Sequence, residues 1–450
     1  MVSRLREKYP DFVFGGYEYT LAEKTLDITY HFEIPGLAAF HPSWSIDILS
    51  PAETSPQTLD TLVFSLGMTE LISYWKLACS PNIRVNCGYL TQAQIPFWDK
   101  LYQKGMGEFY YLNGIDPAPG FFRIHPQKTP PPKTNCQLSI VNCQFKKALV
   151  PIGGGKDSAV TLELLRNRAE RYGFIINPRK AALDTARAAG TDGFLVRASR
   201  TLDPAMLALN AKGFLNGHTP FSAIVAFSSV LAAYINGFEN VALSNESSAN
   251  EATVSGTDIN HQYSKSFEFE RDFIDYELAH IGTGVKYFSL LRPLNELQIA
   301  RVFASLTSYH NIFLSCNAGS KTDEWCANCP KCLFVYIILS PFMERGALAG
   351  IFGRDMLDSP ELETFFDKLA GFLPEKPFEC VGSRDEVNAA LRMTARKYEE
   401  SGDALPYLLR RFAEKRGGGP DCAADLLGQF DAQNAVPEYF LDFVKDAAHA

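Results

Sequence analysis

The stretch Ala148-Leu-Val-Pro-Ile-Gly153-Gly-Gly-Lys-Asp-Ser158 decides how this chain reads. Ala148–Ile152 is a short apolar run of the kind that forms a buried parallel strand. From Lys156 to about Tyr172, the apolar residues Val160, Leu162, Leu164 and Leu165 take helical spacing. Three glycines therefore fall at a strand-to-helix turn. Glycine takes positive φ without penalty and lets a ligand come close to the backbone. Amides in such a turn, with the helix N-terminus behind them, bind phosphate oxygens. Gly153, Gly154, Gly155, Lys156, Asp157 and Ser158 are accordingly the expected nucleotide-binding residues, with Lys156 and Ser158 adding donors. Asp157, at the helix start, is either a cap or a carboxylate that holds Mg²⁺ on the phosphates.

Outward from the turn, Gly193–Val196 is apolar again, Pro220–Ile235 reads as a helix and Val241–Leu243 begins another strand. Strands that alternate with helices argue for an α/β fold with a doubly wound parallel sheet. Toward the N-terminus, Phe12–Tyr19 and Leu26–Glu33 suggest a hairpin, and Thr61–Cys79 and Ala93–Lys104 suggest helices. Four prolines between Pro126 and Lys133 read as an extended linker. After about Pro341 the pattern is helical. Ser383-Arg-Asp-Glu386 fits a capping box before Val387–Tyr398, and Gly417–Pro420 breaks the run. The expected divisions are 1–145 as an N-terminal α+β domain, 146–342 as the α/β domain, and 343–450 as a helical C-terminal region. The first unit is expected to bind part of the substrate, from position alone.

Two common phosphate loops fit poorly. A Walker A loop needs Gly-Lys-Ser/Thr, but Asp157 intervenes, and no third glycine completes G-x-G-x-x-G. The turn instead resembles the Ser-Gly-Gly-x-Asp-Ser pattern of the PP-loop ATP pyrophosphatases, with Gly153 in place of the first Ser. That resemblance implies ATP cleavage between the alpha and beta phosphates and adenylation of an acid.

Ser244–Ser266 (SNESSANEATVSGTDINHQYSKS) follows a strand end, where open α/β sheets bind ligands. So long and polar a loop inside a compact domain points to function. Gly153–Ser158, Asn216-Gly-His-Thr-Pro220, Ser244–Glu251, Asn260-His-Gln-Tyr-Ser-Lys265, Leu291-Arg-Pro-Leu294 and Trp325-Cys-Ala-Asn-Cys-Pro-Lys-Cys332 together resemble the MurL-type UDP-N-acetylmuramoyl-L-alanyl-L-glutamate epimerases. The resemblance is close over 148–342. It implies inversion of the terminal L-glutamate of UDP-MurNAc-L-Ala-L-Glu to D-glutamate in peptidoglycan precursor synthesis. It also implies ATP consumed to AMP and pyrophosphate, a need for Mg²⁺, and a UDP-muramoyl dipeptide as substrate. The alternative within the PP-loop group is tRNA thiolation or deazapurine nitrile synthesis, and outside it a nucleotide sensor. His261 is the first candidate for the proton-transfer base, because a neutral imidazole suits pH 7, and Lys265 is the second. Glu246 and Glu251 serve as base or metal ligand. Asn245, Glu246, Glu251 and Arg292 are the candidate substrate residues. Arg292 either forks onto a phosphate or carboxylate or forms a structural ion pair.

Ten cysteines occur, and Cys316, Cys326, Cys329 and Cys332 cluster. Four thiolates at this spacing suit a structural tetrahedral Zn²⁺, with free thiols or a redox or catalytic pair as alternatives. The net charge of −8 argues against nucleic acid as the main partner. Thr219–Phe238 is interrupted by Ser222, Ser228, Ser229 and Asn236, so it reads as a buried helix and not a membrane span. The charged N-terminus does not read as a signal peptide, and the cytoplasm is the expected location.

Overall fold

Along the chain the strands are β1 (Asp11–Leu21), β2 (Thr25–Ile34), β3 (Ala38–Phe40), β4 (Ser43–Asp47), β5 (Asn82–Val85), β6 (Arg123–Pro126), β7 (Lys147–Pro151), β8 (Glu170–Ile176), β9 (Leu195–Thr201), β10 (Asn240–Leu243) and β11 (Lys286–Ser289). The helices that position the site are α1 (Pro56–Trp75), α2 (Ile95–Gly105), α3 (Gly107–Leu112), α4 (Lys156–Leu164), α5 (Lys180–Ala189), α6 (Phe221–Asn236), α7 (Phe267–His280), α8 (Glu296–Ser305), α9 (Pro330–Leu339) and α10 (Arg384–Ser401). They belong to a computed structural model that describes residues 1–127, 146–254, 257, 259–416 and 422–449.

All the strands named above join one sheet, in the order β11-β10-β7-β8-β9-β4-β2-β1-β5-β6, with β3 beside β2. From β11 to β9 the neighbours run parallel. The expected hairpin is present: β1 and β2 pair antiparallel, with a register shift between Phe14 and Gly16. The link between the halves is antiparallel, Ser43–Ile46 against Ala198–Thr201. The sheet therefore continues across residue 145.

Strand β7 shows why its inner residues, Ala148 to Val150, are apolar. Ala148 and Val150 pack into one core, with α4, α8 and α9, while Leu149 packs into the other, with α1 and α6. Side chains alternate across a strand, so a strand covered by helices on both faces keeps no polar side. Burying each Leu or Val there contributes roughly 1.5–3 kcal/mol.

Local signals account for most element ends. Ser55 accepts a hydrogen bond from the Thr58 amide (3.4 Å), and Pro56 occupies the first turn, so α1 starts before the expected Thr61. Helix α4 ends at Leu164, well short of Tyr172, because the polar Arg166-Asn167-Arg168 breaks the apolar period and Tyr172 lies in β8. The Ser383–Glu386 capping box is formed, with Ser383 Oγ accepting from the Glu386 amide (3.2 Å). Beyond residue 341 the regular elements are helical. Pro126 closes β6 and Gln127 follows it, while residues 128–133 of the expected linker and Gly417–Pro420 lie outside the described residues. No described helix is long and apolar enough to cross a membrane.

Candidate active site

Strands β8 and β9 lie to one side of β7, and β10 and β11 to the other. The sheet order thus reverses between β7 and β10, and at such a reversal a crevice opens past the C-terminal strand ends. The glycine turn leaves β7, the polar segment leaves β10, and the chain from β11 runs into Glu296. All three meet in this crevice.

The turn is built as its sequence requires. Gly154 has φ +89°, and a Cβ there would lie 2.8 Å from Ala182 N and 2.9 Å from Ala181 C at the start of α5. Its carbonyl accepts from the Leu314 amide (2.8 Å). Gly155 is the N-cap of α4 and has no side chain to accept from the first helical amides. Those amides are left for an external acceptor. Nothing lies within 4 Å of a Cβ placed on Gly153, so the turn is open on that side. Ser158, expected as a further donor to a ligand, directs its hydroxyl to Gly155 O (3.0 Å).

Lys156 is 3% exposed and bonds the carboxylates of Asp157 and Glu296. Burial alone would lower Lys156, but the two carboxylates outweigh it and hold it well above the ordinary lysine range. Burial works to raise Asp157, yet Lys156, Lys331 and Lys265 bring it below its ordinary value. Glu296 is pushed up to about 7, first by burial and then by Asp157 and Glu246, against the pull of Lys156. Burial likewise raises Glu246. Three carboxylates and three lysines thus share a nearly dry crevice. A fourth carboxylate, Glu386 of the capping box, accepts from the Glu296 amide (2.6 Å) and Ser248 Oγ (2.6 Å).

The two ends of the polar segment are tied down by residues outside it. Arg292, fully buried, gives NH1 to Glu246 O (2.5 Å), NH2 to Lys265 O (2.5 Å) and Glu270 (2.9 Å), and Nε to Glu270 (3.3 Å). The sequence left open whether Arg292 forks onto a ligand. Instead the guanidinium is spent on protein, because it ties both ends of the segment to α7. Asn245 donates to Ser289 Oγ (3.0 Å), and Glu251 pairs with Lys376 (2.6 Å). The segment also walls a cavity of about 430 Å³, a volume suited to a small molecule, together with Lys104 of α2 and Glu268.

His261 lies at the other end of the segment, where Glu108, His218 and His261 gather within 4.8 Å. His261 Nδ1 bonds Glu108 of α3, and Nε2 is 4.0 Å from Cys380 Sγ. Burial would lower His261, but Cys380 and Glu108 raise it to about 9. The neutral imidazole expected from sequence is therefore not what these neighbours favour. His218 is lowered to about 4, by burial first and then by His261. Lys265, expected as an alternative base, is buried, which would lower it, yet Cys380, Glu246 and Asp157 hold it well above its ordinary range. It is a firm cation.

The four clustered cysteines converge. Cys329 and Cys332 sulfurs are 3.4 Å apart, Cys326 and Cys332 3.6 Å, and Cys316 and Cys329 3.9 Å. Tetrahedral Zn–S bonds of 2.3 Å place sulfurs about 3.8 Å apart. The donor set and spacing fit a Zn²⁺ ion.

Glu108, Glu296, Lys331, Cys380 and Glu386 were not picked out as site residues from sequence. Glu386 was visible only as a capping residue, and Lys331 only as the residue before Cys332.

Two family models match the chain: the MurL N-terminal domain over residues 3–290 and the MurL C-terminal domain over 312–417. The chain is 34% identical over 377 residues to a UDP-N-acetyl-alpha-D-muramoyl-L-alanyl-L-glutamate epimerase of Xanthomonas oryzae pv. oryzae, covering 81% of each chain. It is 35% identical over 359 residues to a protein of the same name from Salinispora tropica, covering 78% of this chain and 76% of the relative. A third so named, from a Micromonospora species, is 35% identical over 352 residues, covering 77% of each. With both family models matched and relatives of this identity aligned over most of their length, the chain belongs to the MurL epimerase family.

Proposed function

We propose that this chain inverts the terminal L-glutamate of UDP-MurNAc-L-Ala-L-Glu to D-glutamate and consumes ATP to AMP and pyrophosphate as it does so. The observation that carries the reading is the uncapped glycine turn of α4, open to a ligand in the same crevice as Glu246 and Lys265. The names of the relatives supply the substrate class. The core of the molecule, on this reading, is a PP-loop ATP pyrophosphatase.

The chemistry requires activation. Removing the α-proton of a free carboxylate puts a second negative charge beside the first. An acyl-adenylate removes the first charge and makes the carbonyl an electron sink. In this crevice the turn amides and Lys156 hold the phosphates, and Lys265 and Lys331 balance the developing charge, the kind of fixed electrostatic support that lowers such barriers most. Mg²⁺ prefers one or two carboxylates with phosphate oxygens, and it would draw those carboxylates from Asp157, Glu246 and Glu296. Bound there, Mg²⁺ would supply charge neutralisation on the triphosphate. Cys316, Cys326, Cys329 and Cys332 would hold a structural Zn²⁺ ion, which would fix the start of α9, where Lys331 lies. The cavity beside Lys104 receives the sugar-nucleotide end of the substrate. The reaction belongs in the cytoplasm, with its ATP supply.

Incubation with ATP, Mg²⁺ and UDP-MurNAc-L-Ala-L-Glu should release pyrophosphate and AMP, and chiral analysis should find D-glutamate at the terminus. Asp157→Ala should abolish pyrophosphate release. ADP as the product would overturn the adenylation step, and unchanged glutamate chirality would overturn the epimerisation.

A further inference from the structure

Residues 371–382 cross from the C-terminal helices back onto the polar segment. Glu375 bridges Val254, and the Lys376 amide donates to Thr253 O (3.0 Å). Two further bonds fix the end of this strap around Cys380. Lys331 Nζ donates to Cys380 O, and Gln262 Nε2 donates to Val381 O (3.1 Å). Cys380 is partly exposed, and its sulfur faces His261 Nε2 at 4.0 Å. Behind the imidazole stands Glu108, bonded to Nδ1.

The contrast with other thiols in the chain is chemical. Burial pushes Cys79 up to about 12, and also Cys87. At Cys380 burial acts the same way, but Lys265, His261 and Lys331 overcome it and bring the thiol down to about 5. Lys265 also faces Glu246 and Asp157. The sulfur and the glycine turn therefore address one crevice from two sides. Of the other candidates, His261 has both ring nitrogens engaged, and Lys265 is held as a cation.

We propose that Cys380, as a thiolate with His261 and Lys265 as its counter-ions, is the base that removes the α-proton of the activated glutamate. Glu108 and His261 are positioning residues for it. The inference rests on the epimerase reading above. In the step, the Cα–H bond breaks and an S–H bond forms. The C–H electron pair moves into the adjacent acyl group and leaves an enolate oxygen. A proton delivered from water to the opposite face rebuilds Cα–H with inverted configuration, and the thiol returns its proton to water. A thiol whose pKa lies below working pH is present as the thiolate and is free to accept the proton.

The test uses the full chain with Cys380→Ala and Cys380→Ser, ATP, Mg²⁺ and UDP-MurNAc-L-Ala-L-Glu in D₂O. Pyrophosphate release and deuterium at the glutamate Cα are read separately. Both variants should keep pyrophosphate release and lose label by about 10²–10⁴-fold. Label at the rate of the unaltered chain would overturn the proposal. Should the unaltered chain take up label without releasing pyrophosphate, the adenylation reading falls, and the label in the variants still decides the role of the sulfur. A measurement on the unaltered protein guards against variants that fail to fold. Iodoacetamide at pH 6, mapped by peptide mass, should modify Cys380 at least about tenfold faster than Cys87. The substrate should protect it, and modification should stop labelling. Labelling that survives full modification of Cys380 would equally overturn the proposal.

Discussion

Replacing Glu108 with Gln removes the charge behind His261 while keeping its size. His261 stands at about 9 against an ordinary 6.5. At about 1.4 kcal/mol per tenfold change in a protonation equilibrium, that preference for the cation is worth about 3 kcal/mol. Cys380 and Glu108 are the two groups that raise it, and together they also overcome burial, so losing the Glu108 charge should cost on the order of 1–3 kcal/mol. In the Gln variant the imidazole should titrate clearly below the unaltered protein's value of about 9. The direction for stability follows from linkage. The folded value lies above the unfolded one, so the stabilisation is complete below about pH 6.5 and disappears as pH rises through about 9. The variant should therefore fall further behind the unaltered chain at pH 6 than at pH 10, by on the order of 1–3 kcal/mol. NMR titration of ring-labelled histidine gives the midpoint, and urea unfolding at the two pH values gives the gap. A midpoint that stays at about 9, or a gap equal at both pH values, would refute the reasoning.

Gly154→Ala should lower stability by roughly 1–3 kcal/mol and weaken ATP binding, because an L residue is forced into positive φ against the start of α5. Thermal unfolding and nucleotide titration read both effects. Cys329→Ser should reduce bound zinc from about one per chain toward zero by elemental analysis, with a lower melting temperature; equal zinc in both proteins would remove the metal reading of the cluster. Arg292→Met should cost about 3–5 kcal/mol, since Glu270 would be left buried without its partner. A loss under about 1 kcal/mol in denaturant unfolding would show that the tie is dispensable.

The glycine turn was legible because everything it needs is local: an apolar strand, small residues for a positive φ, and a helix period. The cysteine cluster was legible for the same reason, and so was the capping box at Ser383. What sequence could not supply was juxtaposition. Glu108 meets His261 across 153 positions, Glu296 meets Lys156 across 140, and Cys380 meets His261 across 119. No periodicity encodes such pairs, because a three-dimensional sheet order brings them together. The same limit explains His261. As a lone imidazole in a polar loop it read as neutral, and only its neighbours fix its charge. Arg292 was caught between two readings because a buried guanidinium and a ligand-binding one look alike in a string of letters. The continuity of the sheet across residue 145 was also invisible, since it depends on β4 finding β9.

That seam has a consequence for any attempt to divide the molecule. Removing the first 145 residues would strip β4 from β9 and leave a row of unpaired amides and carbonyls at the edge. It would also bare the face of α6 that packs against α1. A fragment beginning at the glycine turn should therefore be sticky and short-lived, however complete its catalytic vocabulary, and the amino-terminal segment acts as the missing wall of the building and not as an annex.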